Sequence, residues 1–136
     1  MRENSAVPLI ARILGSIIFI LAGWGKVMAG GAIATMMAKE GLPFPLAAGI
    51  LADVVELGGG LLLLFGLFTR PAAVVLALWC IATALVAHTD WSKPGNQTNF
   101  MKNLAMSGGY VAMAGLGAGA ISLDAMLRRR RVIVRA

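Results

Sequence analysis

The fold is decided by one stretch of sequence, LAAGILADVVELGGGLLLLFGLF at residues 46–68. This stretch is apolar almost throughout, and it is long enough to cross the hydrocarbon core of a bilayer, which takes about 20 residues of helix. Because lipid offers backbone groups no hydrogen-bonding partner, a helix is favoured over an open strand. Two acidic residues, Asp53 and Glu56, lie inside it, where charged groups have few tolerable positions.

Three further apolar stretches accompany it. The chain of 136 residues is 59% hydrophobic with a mean hydropathy of +0.83, which is far above the value of ordinary soluble domains. We predict an all-α integral membrane four-helix bundle that forms one domain over residues 1–136. The predicted membrane helices cover about residues 8–28, 46–68, 71–87 and 100–120, and a basic tail covers residues 125–136.

The connections between these stretches contain turn-forming residues. After Gly30 and Gly31, residues 32–39 are predicted to form a short amphipathic helix at the membrane interface. A tight turn is predicted at residues 69–71, with Pro71 at the first position of the third membrane helix. The polar segment at residues 88–99 is predicted to be a loop.

The net charge of +6 comes largely from the C-terminal tail, which holds Arg128–Arg131 and Arg135. Four membrane helices place both termini on one side, and that side would hold Arg2, Arg70 and the tail. Basic residues collect on the cytoplasmic side of membrane proteins, so we predict that both termini are cytoplasmic. The tail is interpreted as a topology anchor that contacts membrane lipid, and a nucleic-acid partner is not expected.

The first membrane helix carries two cations on one face. Arg12 and Lys26 are fourteen residues apart, which is close to four helical turns and a rise of about 21 Å. Ser16, Phe19 and Gly23 lie near the same face. Lys26 either extends to the lipid headgroups or pairs with a carboxylate, and Arg12 is expected to have a carboxylate partner.

The second membrane helix carries the acidic residues one turn apart. Glu56 lies near the middle of this helix, and Gly49 and Gly60 flank it on the same face, where small residues permit close helix packing. Two interpretations remain open. Glu56 pairs with Arg12 or Lys26 to lock the bundle, or it is a protonatable group in a cavity.

The ends of the third and fourth membrane helices add a polar rim on the non-cytoplasmic side. We predict a ligand-binding polar cluster that comprises Arg12, Lys26, Asp53, Glu56, His88 and Asn103. A single histidine gives weak support for a metal site, and no bound metal is predicted. The lone Cys80 excludes an intramolecular disulfide and is interpreted as a buried apolar residue.

The order of four motifs resembles the DoxX family of small bacterial membrane proteins. These motifs are RILGSIIFILAGWGKV, EGLPFP, VVELGGGLLLLFGLFTRPAA and FMKNLAMSGGY, and the resemblance covers residues 9–124. The most specific part is Glu56, Gly58, Gly59, Gly66, Thr69 and Arg70. The resemblance implies a multi-pass protein of the bacterial plasma (inner) membrane. Some relatives are membrane parts of oxidoreductase assemblies linked to superoxide and thiol stress, or to thiosulfate oxidation with quinone.

Three functions remain open at this point. The chain is a non-catalytic membrane subunit of a redox or oxidative-stress complex, which has oxidoreductase partners and binds a quinone or similar small hydrophobic molecule. Alternatively, it is a proton-linked carrier or binding protein, or a purely structural module. An independent enzyme is the least supported reading. Gly115, Gly117 and Gly119 suggest a dimer face on the fourth helix, and hence a homo-oligomer.

Overall fold

The computed structural model describes residues 6–133, and all regular elements in this part of the chain are helices. The predicted all-α class is therefore confirmed. Arg2 and Arg135, used in the orientation argument, lie outside the described residues. The elements in chain order are α1 (Ala6–Ala29), α2 (Gly31–Lys39), α3 (Pro45–Asp53), a π-helical turn (Val54–Gly58), α4 (Gly59–Phe65), α5 (Thr69–Ala87), α6 (Asn96–Leu116) and α7 (Leu123–Ile133).

Among these elements, three segments have the length and apolar composition of membrane-spanning helices. They are Ala6–Ala29, Pro45–Phe65 and Thr69–Ala87, with mean hydropathies of 2.1, 1.9 and 1.9. The second of them runs without a break through α3, the π turn and α4. At 1.5 Å per residue, the shortest segment, with 19 residues, is about 28 Å long, close to the thickness of the hydrocarbon core.

A helix, α6, lies where the fourth span was predicted, but it is not among the segments apolar enough to cross a membrane, and its bounds differ from the prediction. The helix begins at Asn96 instead of near residue 100, because the backbone N–H of Asn99 already donates to Gly95 O at 2.9 Å. Its first turn is therefore polar, and α6 is less apolar than the three segments above. It ends at Leu116 because Gly117 adopts φ +80°, ψ −167°, a conformation that only glycine adopts readily.

This early end removes the predicted dimer face. Gly119 also has a positive φ, +75°, so Gly117 and Gly119 form the connection to α7 and do not share a helical face with Gly115. The basic tail holds a helix that the sequence did not predict, α7. The helix predicted at residues 32–39, in contrast, is present as α2 (Gly31–Lys39), and its place at the membrane interface stays a prediction.

The core lies where α1, α4, α5 and α6 meet. Leu63, Leu76 and Cys80 are fully buried there. The Phe19 and Tyr110 rings pack with centroids 5.5 Å apart, and Tyr110 Oη donates a hydrogen bond to Gly15 O at 2.6 Å. Such interhelical hydrogen bonds hold membrane helices together where lipid supplies no hydrophobic driving force between them.

Two glycines bring the first two membrane helices close together. A Cβ added at Gly23 would lie 2.6 Å from the backbone N of Leu57. A Cβ at Gly60 would lie 2.9 Å from Ile20 Cγ1 and 3.1 Å from the backbone N of the same residue. Larger residues would therefore separate α1 from the π turn and α4, as expected for small-residue packing between membrane helices.

The turn between α4 and α5 is fastened by α7. The Asp124 carboxylate accepts hydrogen bonds from the backbone N–H groups of Phe68 (2.9 Å) and Thr69 (3.0 Å), and so caps the start of α5. The backbone N–H of Asp124 donates to Gly66 O at 2.9 Å. Since α5 begins at Thr69, Pro71 does not occupy the predicted first position. It stays within the first turn, where its missing N–H has no helical partner to lose.

Candidate functional site

Glu56 lies in the π-helical turn Val54–Gly58 near the middle of the second membrane segment. A π turn widens the helix by one residue and is found frequently at functional sites. The three glycines that follow, Gly58–Gly60, add no side chains that would crowd the widened turn. Glu56 is buried, at 6% exposure of the whole residue, and its carboxylate lies between α1 and α5.

Both carboxylate oxygens of Glu56 have a partner on another helix. Lys26 Nζ on α1 donates to Oε2 in an ion pair. Trp79 Nε1 on α5 donates to Oε1 at 3.0 Å. We call Lys26, Glu56 and Trp79 the polar centre. The polar centre joins three helices. The sequence left open whether Arg12 or Lys26 pairs with Glu56, and the structure shows that the cation is Lys26.

The polar centre is more open on its lysine side. The Lys26 side chain is 22% exposed, whereas that of Glu56 is 8% exposed. A lysine ammonium has three N–H donors, so Lys26 keeps donors for a further partner while it holds Glu56. Removing one member of a buried ion pair is strongly destabilising, by about 3–5 kcal/mol, because the other charge is left unpaired. The arrangement can thus present N–H donors of Lys26 towards its more exposed side.

Arg12 lies at the opposite end of α1 and does not meet the polar centre. Its guanidinium is 1% exposed and donates from Nη2 to Ile121 O at 2.6 Å. Within residues 6–133 Arg12 forms no ion pair with a carboxylate, because its hydrogen-bond acceptor is a backbone carbonyl of the α6–α7 connection. The charge of the Asp124 carboxylate acts on the guanidinium without direct contact. A Cβ at Gly66, where φ is +65°, would overlap Arg12 Nη1. Gly66 is thus required where it stands.

The remaining predicted site residues lie away from the polar centre or are not joined to it. Asp53 is half-buried at the end of α3, and its Oδ1 atom has no hydrogen-bond partner among the described residues. His88 Nδ1 lies 3.4 Å from Asn96 Oδ1 at the end of α5. Asn103 Nδ2 donates to Asn99 O at 2.9 Å within its own helix.

The shared face of α1 was predicted correctly from helical spacing. Arg12, Ser16, Phe19 and Gly23 are the buried residues of this helix. Trp79, in contrast, was missed. The available signal was an indole N–H in an apolar membrane helix, because a buried Trp N–H needs an acceptor.

The helices and the polar centre define a membrane protein whose apolar segments are joined by a buried ion pair. A family model described as DoxX matches residues 7–89. The chain belongs to the DoxX family, which confirms the resemblance seen in the sequence.

Two proteins of Escherichia coli K12 are similar to the chain over most of its length. Inner membrane protein YphA is 40% identical over 121 residues, which cover 85% of this chain and 86% of the relative. Inner membrane protein YqjF is 42% identical over 123 residues, which cover 90% and 92%. No solved structure matches the chain. Together with the apolar helices, these relatives confirm the prediction of a bacterial inner-membrane protein.

Proposed function

We propose that this protein is a non-catalytic membrane subunit of a redox or oxidative-stress-linked complex. In this proposal the polar centre binds a quinone or similar small hydrophobic molecule between helices. One observation carries it: Glu56 is buried in the membrane segment on a π turn, and its cationic partner Lys26 is partly exposed. Ionisable residues inside membrane segments are by default candidates for functional sites.

The chemistry of the polar centre suits a quinone. A quinone carbonyl accepts hydrogen bonds, and Lys26 has N–H donors beyond the one that Glu56 accepts. Reduction of a quinone to a quinol takes up protons together with electrons. Glu56 would exchange protons near the ligand, and the electrons would come from a partner oxidoreductase subunit. This chain would therefore bind and position the molecule without carrying the electrons.

The proposal includes a four-helix bundle with both termini in the cytoplasm. Support comes from the packing of α6 against α5 and α1, through Ser107 Oγ to Ala77 O (3.1 Å) and Tyr110 Oη to Gly15 O (2.6 Å). Arg70 is the second residue of α5, at the end of the molecule where α7 lies. This concentration of arginine at one end is typical of a cytoplasmic side.

The experiment is native mass spectrometry of the protein extracted with its lipids and partners. We expect the wild type to carry a quinone-sized adduct or an oxidoreductase subunit. Glu56→Gln should lose the small-molecule adduct, and Asp53→Asn should keep it, because Asp53 is an acidic residue of the same membrane segment without an ion pair to Lys26. A wild type with neither adduct nor partner, or an adduct unchanged in Glu56→Gln, would contradict the proposal.

A structural function is the second candidate. Both Glu56 oxygens are satisfied by protein donors, and Gly23 and Leu57 hold the surrounding helices in close contact. Buried polar groups of this kind fix helix register in some proteins. In that case Glu56→Gln should reduce the yield of folded protein, while assays normalised to folded protein stay unchanged.

A proton-linked carrier is the third. Its support is the partial exposure of Lys26, which gives the polar centre a route to one side. Flux of a hydrophobic anion into liposomes should then depend on pH, and Glu56→Gln should remove that dependence.

A further inference from the structure

A cleft opens at the end of the molecule opposite the polar centre, between the α4–α5 turn and α7. Its volume is about 280 Å³, and its wall includes Phe68, Arg70, Asp124, Leu127 and Arg128. These residues come from two segments, the start of α5 and α7, which are separated in the chain by the rest of α5 and by α6. Asp124 joins the segments by capping the start of α5.

The charged groups in the wall favour an anion. The Arg70 side chain packs over Gly117, where an added Cβ would lie 3.2 Å from Arg70 Nε, and no hydrogen bond occupies its guanidinium within residues 6–133. Arg128 uses only Nε, which donates to Asp124 O at 3.3 Å. The one carboxylate in the wall, Asp124, accepts a backbone N–H at each oxygen. Two guanidinium groups therefore retain donors for an incoming phosphate.

The apolar groups beside these arginines point to a lipid. Phe68 is 63% exposed and Leu127 is 43% exposed, and both line the cleft. Phe68 directly precedes α5 and holds a left-handed backbone conformation, φ +48°, which is uncommon for a bulky residue. Apolar side chains contribute nothing to the binding of a free phosphate, whereas they pack favourably against the acyl chains of a lipid.

We propose that this cleft binds an anionic phospholipid, whose phosphate contacts Arg70 and Arg128 and whose acyl chains lie against Phe68 and Leu127. Arg70 is the second residue of a membrane-spanning helix, which places it at the level of the headgroups. Basic pockets between membrane helices on the cytoplasmic side bind such headgroups in other proteins. The site is separate from the polar centre. Its assignment to the cytoplasmic side rests on the orientation proposed above, and it does not depend on a ligand at the polar centre.

The test uses the full-length protein in nanodiscs that contain phosphatidylglycerol and phosphatidylcholine in equal amounts. Native mass spectrometry of protein released with bound lipid gives the ratio of the two adducts. The variant Arg70→Gln/Arg128→Gln removes the two cleft arginines. The control Arg129→Gln/Arg130→Gln removes the same charge from neighbouring residues that do not line the cleft. Circular dichroism and size-exclusion chromatography establish that each variant is folded.

We expect phosphatidylglycerol to be enriched on the wild type and on the control. The cleft variant should lose this enrichment by about tenfold, because it removes both guanidinium groups that contact the phosphate, whereas the control keeps both. Equal losses in both variants, or no enrichment on the wild type, would overturn the proposal, as would displacement of the lipid by excess inorganic phosphate. If the double variant does not fold, Arg70→Gln alone decides: a several-fold loss supports the site, and an unchanged ratio overturns it.

Discussion

Lys26 and Glu56, 30 residues apart in the chain, form an ion pair that links the first membrane helix to the π turn of the second. Trp79 adds a hydrogen bond from α5 to the same carboxylate. The Glu56 carboxylate thus connects three membrane segments through hydrogen bonds with Lys26 and Trp79. The stability and the chemistry of the ion pair can therefore be tested separately.

We predict that Lys26→Met destabilises the protein by about 3–5 kcal/mol, because Glu56 remains buried without its cation. The double variant Lys26→Met/Glu56→Met should recover most of this loss, since it leaves no charge unpaired. Cys80 is fully buried and is the only cysteine, so a thiol-reactive dye reports thermal unfolding in detergent. Equal unfolding midpoints for Lys26→Met and the wild type would contradict the prediction.

Trp79→Phe should destabilise the protein by about 1 kcal/mol, because one oxygen of Glu56 loses its donor while the ring volume is largely kept. Trp91→Phe is the matched control, since Trp91 is exposed in the α5–α6 connection. The same dye assay measures both variants. A midpoint that is unchanged in Trp79→Phe, or lowered equally in both, would remove Trp79 from the polar centre.

Gly66→Ala is expected to be strongly destabilising, by more than about 1 kcal/mol, because φ is +65° there and the added Cβ overlaps the Arg12 guanidinium. Gly108→Ala lies inside α6 with open space around it, so it should be neutral or stabilising by up to about 1 kcal/mol. Opposite signs for the two variants in thermal unfolding are the expected result. Equal tolerance of both would mean that the Arg12–Gly66 contact is not formed.

Acid sensitivity should report the Asp124 cap. Burial raises the pKa of Asp124, but hydrogen bonds from Thr69 and Phe68 together with the charge of Arg128 outweigh it, and the pKa is lowered overall. The stabilisation is therefore fully present above the unfolded value of about 3.9, and it is lost as the pH falls through the lower folded value. Asp124→Asn should be less stable than the wild type at neutral pH and should lose less on acidification below about pH 4. Identical acid profiles would contradict this account.

The membrane helices could be predicted because hydropathy and helical spacing depend on local sequence alone. The buried face of α1 followed from the spacing of Arg12, Ser16, Phe19 and Gly23. The helix α7 was missed because its run of arginines makes the short amphipathic pattern difficult to recognise. Its docking also depends on a contact between residues far apart in the chain, since Asp124 of α7 caps the start of α5. Backbone dihedral angles at Gly117 decide where α6 ends, and neither hydropathy nor spacing reveals them.

The candidate site was predicted in part. Glu56 was identified correctly as the central buried charge, and Lys26 was one of its two candidate partners. The choice between Lys26 and Arg12 depends on the relative height of two helices, which spacing within one helix cannot give. The hydrogen-bond acceptor of Arg12 is the backbone carbonyl of Ile121. A backbone acceptor cannot be predicted from the pattern of side chains, because every residue has a backbone carbonyl.

We propose that the polar centre binds a small molecule in addition to holding helices together. The most direct measurement is the affinity of a short-chain quinone for the folded Lys26→Met/Glu56→Met variant and for the wild type, in the same detergent. We predict that the variant unfolds near the wild-type temperature yet binds the quinone at least about tenfold more weakly, since tenfold corresponds to about 1.4 kcal/mol. Equal affinity of the two proteins would contradict the account.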